Sequence, residues 1–207
     1  MKMGLPNQLS LLRILLTPVF VLLLFLDSLT SKFLSFFVFT VASITDYYDG
    51  YAARKYNIIT MWGQFLDPLA DKILVSSAFI CFSNLGYVPA WMVLVIVIRD
   101  FTITGLRSFA IVKGKPIITS RFAKVKTYLQ FVVLYFVFIQ HLLISCHFQG
   151  RLGAFTERLV YWNLITPLCL GITLLTVLTG VKYLVDNFSH VRLLVGGIYR
   201  IFVPSDV

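Results

Sequence analysis

Between residues 46 and 71 the chain reads DYYDGYAARKYNIITMWGQFLDPLAD. Four of the nine acidic residues of the whole sequence, Asp46, Asp49, Asp67 and Asp71, fall in these 26 positions. Apolar runs flank the stretch on both sides, over about 33–54 and 67–86. Each run approaches the roughly 20 apolar residues that an α-helix needs to cross a bilayer. The stretch is therefore the polar join of two antiparallel helices, with acids at the adjoining ends. Asp46 and Asp49 are spaced i,i+3, and Asp67 and Asp71 are spaced i,i+4, so each pair shares one face of its helix. Four carboxylates can then converge at one depth. Acids at the ends of apolar spans are energetically expensive, and this marks them as functional candidates.

Working outward, the other spans fall at about 10–30, 89–112, 124–147 and 158–184, which makes six in all. The composition agrees: 58% of the 207 residues are hydrophobic and 13% charged, with a mean hydropathy of +0.87. Soluble domains carry about 25% charged residues. A soluble globular domain, a disordered chain and a secreted disulfide scaffold are all excluded. The expected fold is all-α, a single integral-membrane domain over 1–207 with six transmembrane helices. A short interfacial segment over 1–8 precedes the first span, and residues 189–202 (SHVRLLVGGIYRIF) suit a C-terminal interfacial helix. The first apolar run lacks a small-residue cleavage site and reads as an uncleaved span.

The net charge of +9 would suggest nucleic acid in a soluble chain. Here it marks cytoplasmic loops, and no nucleic-acid motif is present. Lys2, Arg13, Arg54, Lys55, Lys113, Lys115, Arg121, Lys124, Lys126, Lys182, Arg192 and Arg200 collect on one side. The other side holds Lys32, Arg151 and Arg158. Both termini and the acid cluster are thus expected in the cytoplasm. The three cysteines, Cys81, Cys146 and Cys169, stand far apart in apolar runs and read as packing residues. His141 and His147 lie toward the far end of the fifth span, away from the acids.

Four unpaired carboxylates would repel one another. Hard divalent cations, Mg2+ or Mn2+, balance them better than the neighbouring Arg54, Lys55 and Lys72, because such ions prefer carboxylate oxygen. Two such metals on shared carboxylates are suited to phosphoryl transfer. Gly50 and Ala53 lie one turn beyond Asp46 and Asp49, on the acid-bearing face, and leave room for a bulky ligand. Arg54 can meet a phosphate. Gly63 is expected in the turn, and Asp67-Pro68 reads as a helix cap followed by a first-turn proline.

Joined as one string, Asp46-x2-Asp49-Gly50-x2-Ala53-Arg54-x8-Gly63-x3-Asp67-x3-Asp71 resembles the full signature of the CDP-alcohol phosphatidyltransferases. The resemblance implies transfer of a phosphatidyl group from a CDP-linked lipid to an alcohol, with release of CMP. It implies metal ligation by Asp46, Asp49, Asp67 and Asp71, and proton acceptance by Asp71. Contacts to the cytidine nucleotide would come from Asn7, Gly50, Ala53, Arg54 and Gly63. It also implies two divalent cations and a homodimer in the membrane, with a bacterial cytoplasmic membrane as the expected location.

A second constellation comprises Arg99, Arg107, Arg121, Lys124 and Lys126. Arg99 sits deep in the apolar run VLVIVIRDFTITGLR and requires a ligand or a partner, either the adjacent Asp100 or Asp71. Arg99 and Arg107 are two helical turns apart on one face. Such a group can cage a phosphorylated acceptor. The stretches LPNQLSLLRILLTPVF, IRDFTITGLR and AKVKT are similar to those of bacterial phosphatidylglycerophosphate synthases, a branch of the same family. This implies CDP-diacylglycerol and glycerol 3-phosphate as substrates. In that pattern Asp100 stands where Glu is more usual, and Ser108 stands where an acid is more usual. Other acceptors within the class are phosphatidylglycerol, inositol phosphate and serine. A reading of another class is a divalent-metal transporter, whose intramembrane acids would bind the transported ion.

Overall fold

A computed structural model describes residues 5–56, 61–112, 121–146, 153 and 164–188, with side chains over 8–45, 68–111, 125–146, 153 and 164–188. The described elements are six α-helices: α1 Leu5–Leu24, α2 Leu29–Tyr56, α3 Met61–Asn84, α4 Ala90–Val112, α5 Arg121–Ser145 and α6 Ile165–Asp186. Among the described residues there is no strand.

The six helices occupy the six apolar runs, and two findings differ from the sequence reading. The α1 helix starts at Leu5, so residues 5–8 of the expected interfacial segment continue the first helix. The α3 helix starts at Met61 and contains Pro68. Asp67 is therefore no cap, and Gly63 lies in the first turn of α3 rather than in a connection. The Asp-Pro pair resembles a helix start locally, but the helix tolerates Pro68 within its second turn. The only hydrogen bond this forfeits is the one to the Gln64 carbonyl. The C-terminal segment 189–202 lies outside the described residues.

The turn between α3 and α4 has a clear cause. Gly86 takes φ +81°, the left-handed region that a glycine enters without a Cβ penalty. The Tyr87 amide then donates to the Phe82 carbonyl at 2.9 Å, and the Gly86 amide to Ser83 at 3.0 Å. This is the paired 6→1 and 5→2 closure of a glycine-terminated helix. The rings of Phe82 and Tyr87 meet edge-on at 6.1 Å and supply the apolar contact that usually accompanies it. The Tyr87 hydroxyl lies 3.0 Å from His141 Nδ1, so His141 is a packing residue of this far end, as expected. Cys81 and Cys169 are buried and free.

The α3 helix is central and touches α1, α2, α4 and α5, while α6 packs on α4 and α5. Phe20, Phe39, Phe82 and Phe138 pack together at centroid separations from 4.8 to 5.8 Å. This places one aromatic from each of α1, α2, α3 and α5 in the core. Outward faces are apolar as well: Leu22 and Leu178 are each 70% exposed, and Phe37 and Leu94 are also exposed. An apolar exterior of this extent suits hydrocarbon rather than water. Helical residues 125–145 and 165–186 are long and apolar enough to cross a membrane by themselves.

Candidate active site

The acids are placed by the meeting of α2 and α3, which touch. The α2 helix has 28 residues and is about 42 Å long at 1.5 Å per residue, against a hydrocarbon core of about 30 Å. Asp46, Asp49, Gly50, Ala53 and Arg54 ride on its last turns. Asp67 and Asp71 occupy successive turns of α3. The i,i+3 and i,i+4 spacings therefore run through continuous helix, as the face argument requires. The side chains of Asn7, Asp46, Asp49, Gly50, Ala53, Arg54, Gly63 and Asp67 lie outside the described residues, as do those of Arg121 and Lys124 at the start of α5.

Asp71 is described in full. Its Oδ2 lies 3.4 Å from Lys72 Nζ. Its Oδ1 is buried and, among the described residues, has no hydrogen-bond partner. A buried carboxylate oxygen left without a donor is costly, and a hard cation is the partner that such an oxygen fits best. Among the described residues no three potential ligands cluster; the three companion aspartates fall outside that set.

Deeper in the bundle, Asp100 on α4 gathers the second constellation. Its Oδ1 accepts hydrogen bonds from Arg99 Nη1 at 3.1 Å and from Lys126 Nζ. Its Oδ2 lies 3.4 Å from Lys72 Nζ and accepts from Gln130 Nε2 at 3.3 Å. Arg99 Nη2 donates to Thr179 Oγ1 on α6 at 3.0 Å. Arg99 and Lys126, paired in the sequence reading, are thus brought together, but through a carboxylate that reading had not made central. Arg107 lies two turns along α4, and Tyr183 on α6 is within electrostatic reach of both Arg99 and Arg107. The Tyr183 hydroxyl is buried and unpartnered among the described residues.

Sequence reasoning missed Gln130, Thr179, Gly180 and Tyr183. Gly180 had a readable signal only in its size. A Cβ there would stand 3.1 Å from Arg99 Cγ and 3.4 Å from its Nε, tighter than ordinary packing. Gly180→Ala is expected to displace the Arg99 stem and lower activity severalfold, while Gly171→Ala, with open space around it, leaves activity unchanged. Steady-state assays of both variants check this.

The comparison that decides the family covers most of the chain. Residues 3–181 match the family model for CDP-alcohol phosphatidyltransferase. The chain belongs to the CDP-alcohol phosphatidyltransferase family. It is similar to the CDP-diacylglycerol–glycerol-3-phosphate 3-phosphatidyltransferase of Rickettsia typhi, 36% identical over 181 residues, which are 87% of this chain and 94% of the relative. The enzyme of the same name from Bacillus subtilis is 39% identical over 143 residues, 63% of this chain and 74% of the relative. That from Escherichia coli is 37% identical over 139 residues, 65% and 76% respectively. CDP-alcohol phosphatidyltransferases are membrane-integral and depend on divalent metal. As a phosphatidyltransferase, the protein is an enzyme, and the transporter reading falls away.

Proposed function

We infer that this phosphatidyltransferase moves the phosphatidyl group of CDP-diacylglycerol onto glycerol 3-phosphate, giving phosphatidylglycerophosphate and CMP. The observation that carries the acceptor assignment is the convergence of Lys72, Arg99 and Lys126, from three helices, next to Asp71. Three clustered cations, Lys126 buried and Lys72 and Arg99 partly buried, suit a small phosphorylated alcohol and do not suit free serine. The names of the relatives point the same way.

Asp46, Asp49, Asp67 and Asp71 would hold two divalent cations, Mg2+ or Mn2+. Bound there, these would offset the charge of the diphosphate as CMP departs. Asp71 takes the proton of the acceptor hydroxyl. The hydroxyl oxygen bonds to the lipid-side phosphorus, and the bond from that phosphorus to the bridging oxygen breaks with its electrons leaving on CMP. Asn7, Gly50, Ala53, Arg54 and Gly63 form the nucleotide contacts. Arg99, Arg107, Arg121, Lys124 and Lys126 bind the acceptor phosphate. All six helices cross the membrane as one domain over 1–207, residues 189–202 lie on its surface, and the Lys/Arg distribution puts both termini and the site on the cytoplasmic side of a bacterial inner membrane. The enzyme is a homodimer surrounded by membrane lipid.

Arg107→Ala removes a charged hydrogen bond to phosphate, worth about 2 kcal/mol, and should raise KM for glycerol 3-phosphate about 30-fold. KM for CDP-diacylglycerol should stay within about twofold. An equal rise for both substrates would count against the cage. The reading as a whole is tested by CMP release from purified enzyme with Mg2+ or Mn2+ across glycerol 3-phosphate, phosphatidylglycerol, inositol phosphate, serine and an acceptor-free blank. Stimulation by glycerol 3-phosphate alone is expected; stimulation by serine alone overturns the acceptor.

A further inference from the structure

Asp100 is 2% exposed, yet both of its oxygens are fully engaged. Arg99 and Lys126 bind Oδ1; Gln130 and Lys72 face Oδ2. The donors belong to α3, α4 and α5, and Arg99 extends the network to Thr179 on α6. A carboxylate so saturated has no lone pair left for a metal or for a substrate proton. It is also outnumbered by the cations around it. Among the described residues Lys72, shared with Asp71, is the third cation to face this carboxylate. One observation points to a ligand here. Arg99 Nε is buried and has no hydrogen-bond partner among the described residues, although Arg99 is otherwise held at two points.

We propose that Asp100 is the positioning residue for the acceptor phosphate: it fixes Arg99 and Lys126 in a preformed cation pair whose unused donors are completed by that phosphate. This rests on the reading of the acceptor as a phosphorylated alcohol. Asp100 itself touches no substrate. It acts through the two cations, and through Lys72 it sets their position relative to Asp71. Preorganised donors bind a dianion better than donors that must be gathered from separate helices.

The test uses the full-length enzyme in lipid–detergent micelles. Asp100→Asn keeps the shape and removes the charge. It is expected to raise KM for glycerol 3-phosphate about tenfold or more while KM for CDP-diacylglycerol moves less than about twofold. Inorganic phosphate, competing with the acceptor, should lose affinity in parallel. Asp100→Glu restores the charge and should recover most of the acceptor affinity. Gln130→Met loosens the carboxylate without touching a cation and should give the same selective effect at about threefold; it carries the test if the Asn variant does not fold. Equal KM changes for both substrates, or reduced thermal stability with unchanged KM values, would overturn the proposal by making Asp100 merely structural. The wild-type control separates the two readings. If another phosphorylated alcohol replaces glycerol 3-phosphate, the acceptor assignment falls, and a selective KM effect on that alcohol still upholds the role of Asp100. If no phosphorylated alcohol stimulates CMP release, both fall.

Discussion

Replacing Asp71 by Asn is expected to lower acceptor-dependent CMP release by about 10²–10⁴-fold, the range for loss of a general base. The substitution is nearly isosteric. The unpartnered Oδ1 shows that no described protein contact depends on that oxygen, and Lys72 keeps Asp100 as its ion-pair partner. The fold should therefore survive. The measurement is turnover at saturating concentrations of both substrates, with the thermal midpoint of the purified protein recorded alongside. A folded Asp71→Asn enzyme with more than about a tenth of wild-type turnover would remove Asp71 from the chemistry. The effect should appear in kcat more than in either KM, because proton acceptance is needed only as the new bond forms.

The second large effect is loss of divalent metal. EDTA is expected to reduce turnover by about three orders of magnitude, since charge neutralisation at a phosphoryl centre is worth several kcal/mol. Mg2+ or Mn2+ should restore it. Ca2+ should not, because its longer bonds and higher ligand number differ from the octahedral set that Mg2+ demands. A separate readout is stability: a cation that binds only the folded state raises the thermal midpoint in proportion to the logarithm of its concentration. That rise should vanish in a variant lacking Asp46 and Asp49. Full turnover in EDTA would contradict the carboxylate assignment.

Much of the helical plan was legible because hydrophobic run lengths report it directly. Each apolar stretch became a helix, and the loop between α3 and α4 is closed by the glycine at 86. The acid spacings were equally legible, since i,i+3 and i,i+4 have one meaning in continuous helix. The Asp67-Pro68 boundary was misread for a local reason: the pair has the chemistry of a helix start, and only the preceding turn reveals that α3 has already begun at Met61. Arg99 shows a different limit. Its place in an apolar run demanded a partner, and Asp100, one of the candidates, is that partner at 3.1 Å, but the sequence did not show which other groups Asp100 gathers. The Lys126–Asp100 and Arg99–Thr179 contacts join residues 26 and 80 positions apart. Such contacts are set by how α4, α5 and α6 pack, which no single-helix periodicity encodes. Tyr183 was hidden for the same reason, as one aromatic among many on an apolar helix.

The most direct measurement is the identity of the lipid made by the purified enzyme from CDP-diacylglycerol and isotopically labelled glycerol 3-phosphate, read by mass spectrometry beside the amount of CMP. The expected result is labelled phosphatidylglycerophosphate and CMP in equal amounts, with neither formed by Asp71→Asn. Release of CMP with only phosphatidic acid, or a labelled lipid absent while another acceptor is incorporated, would contradict the assigned function.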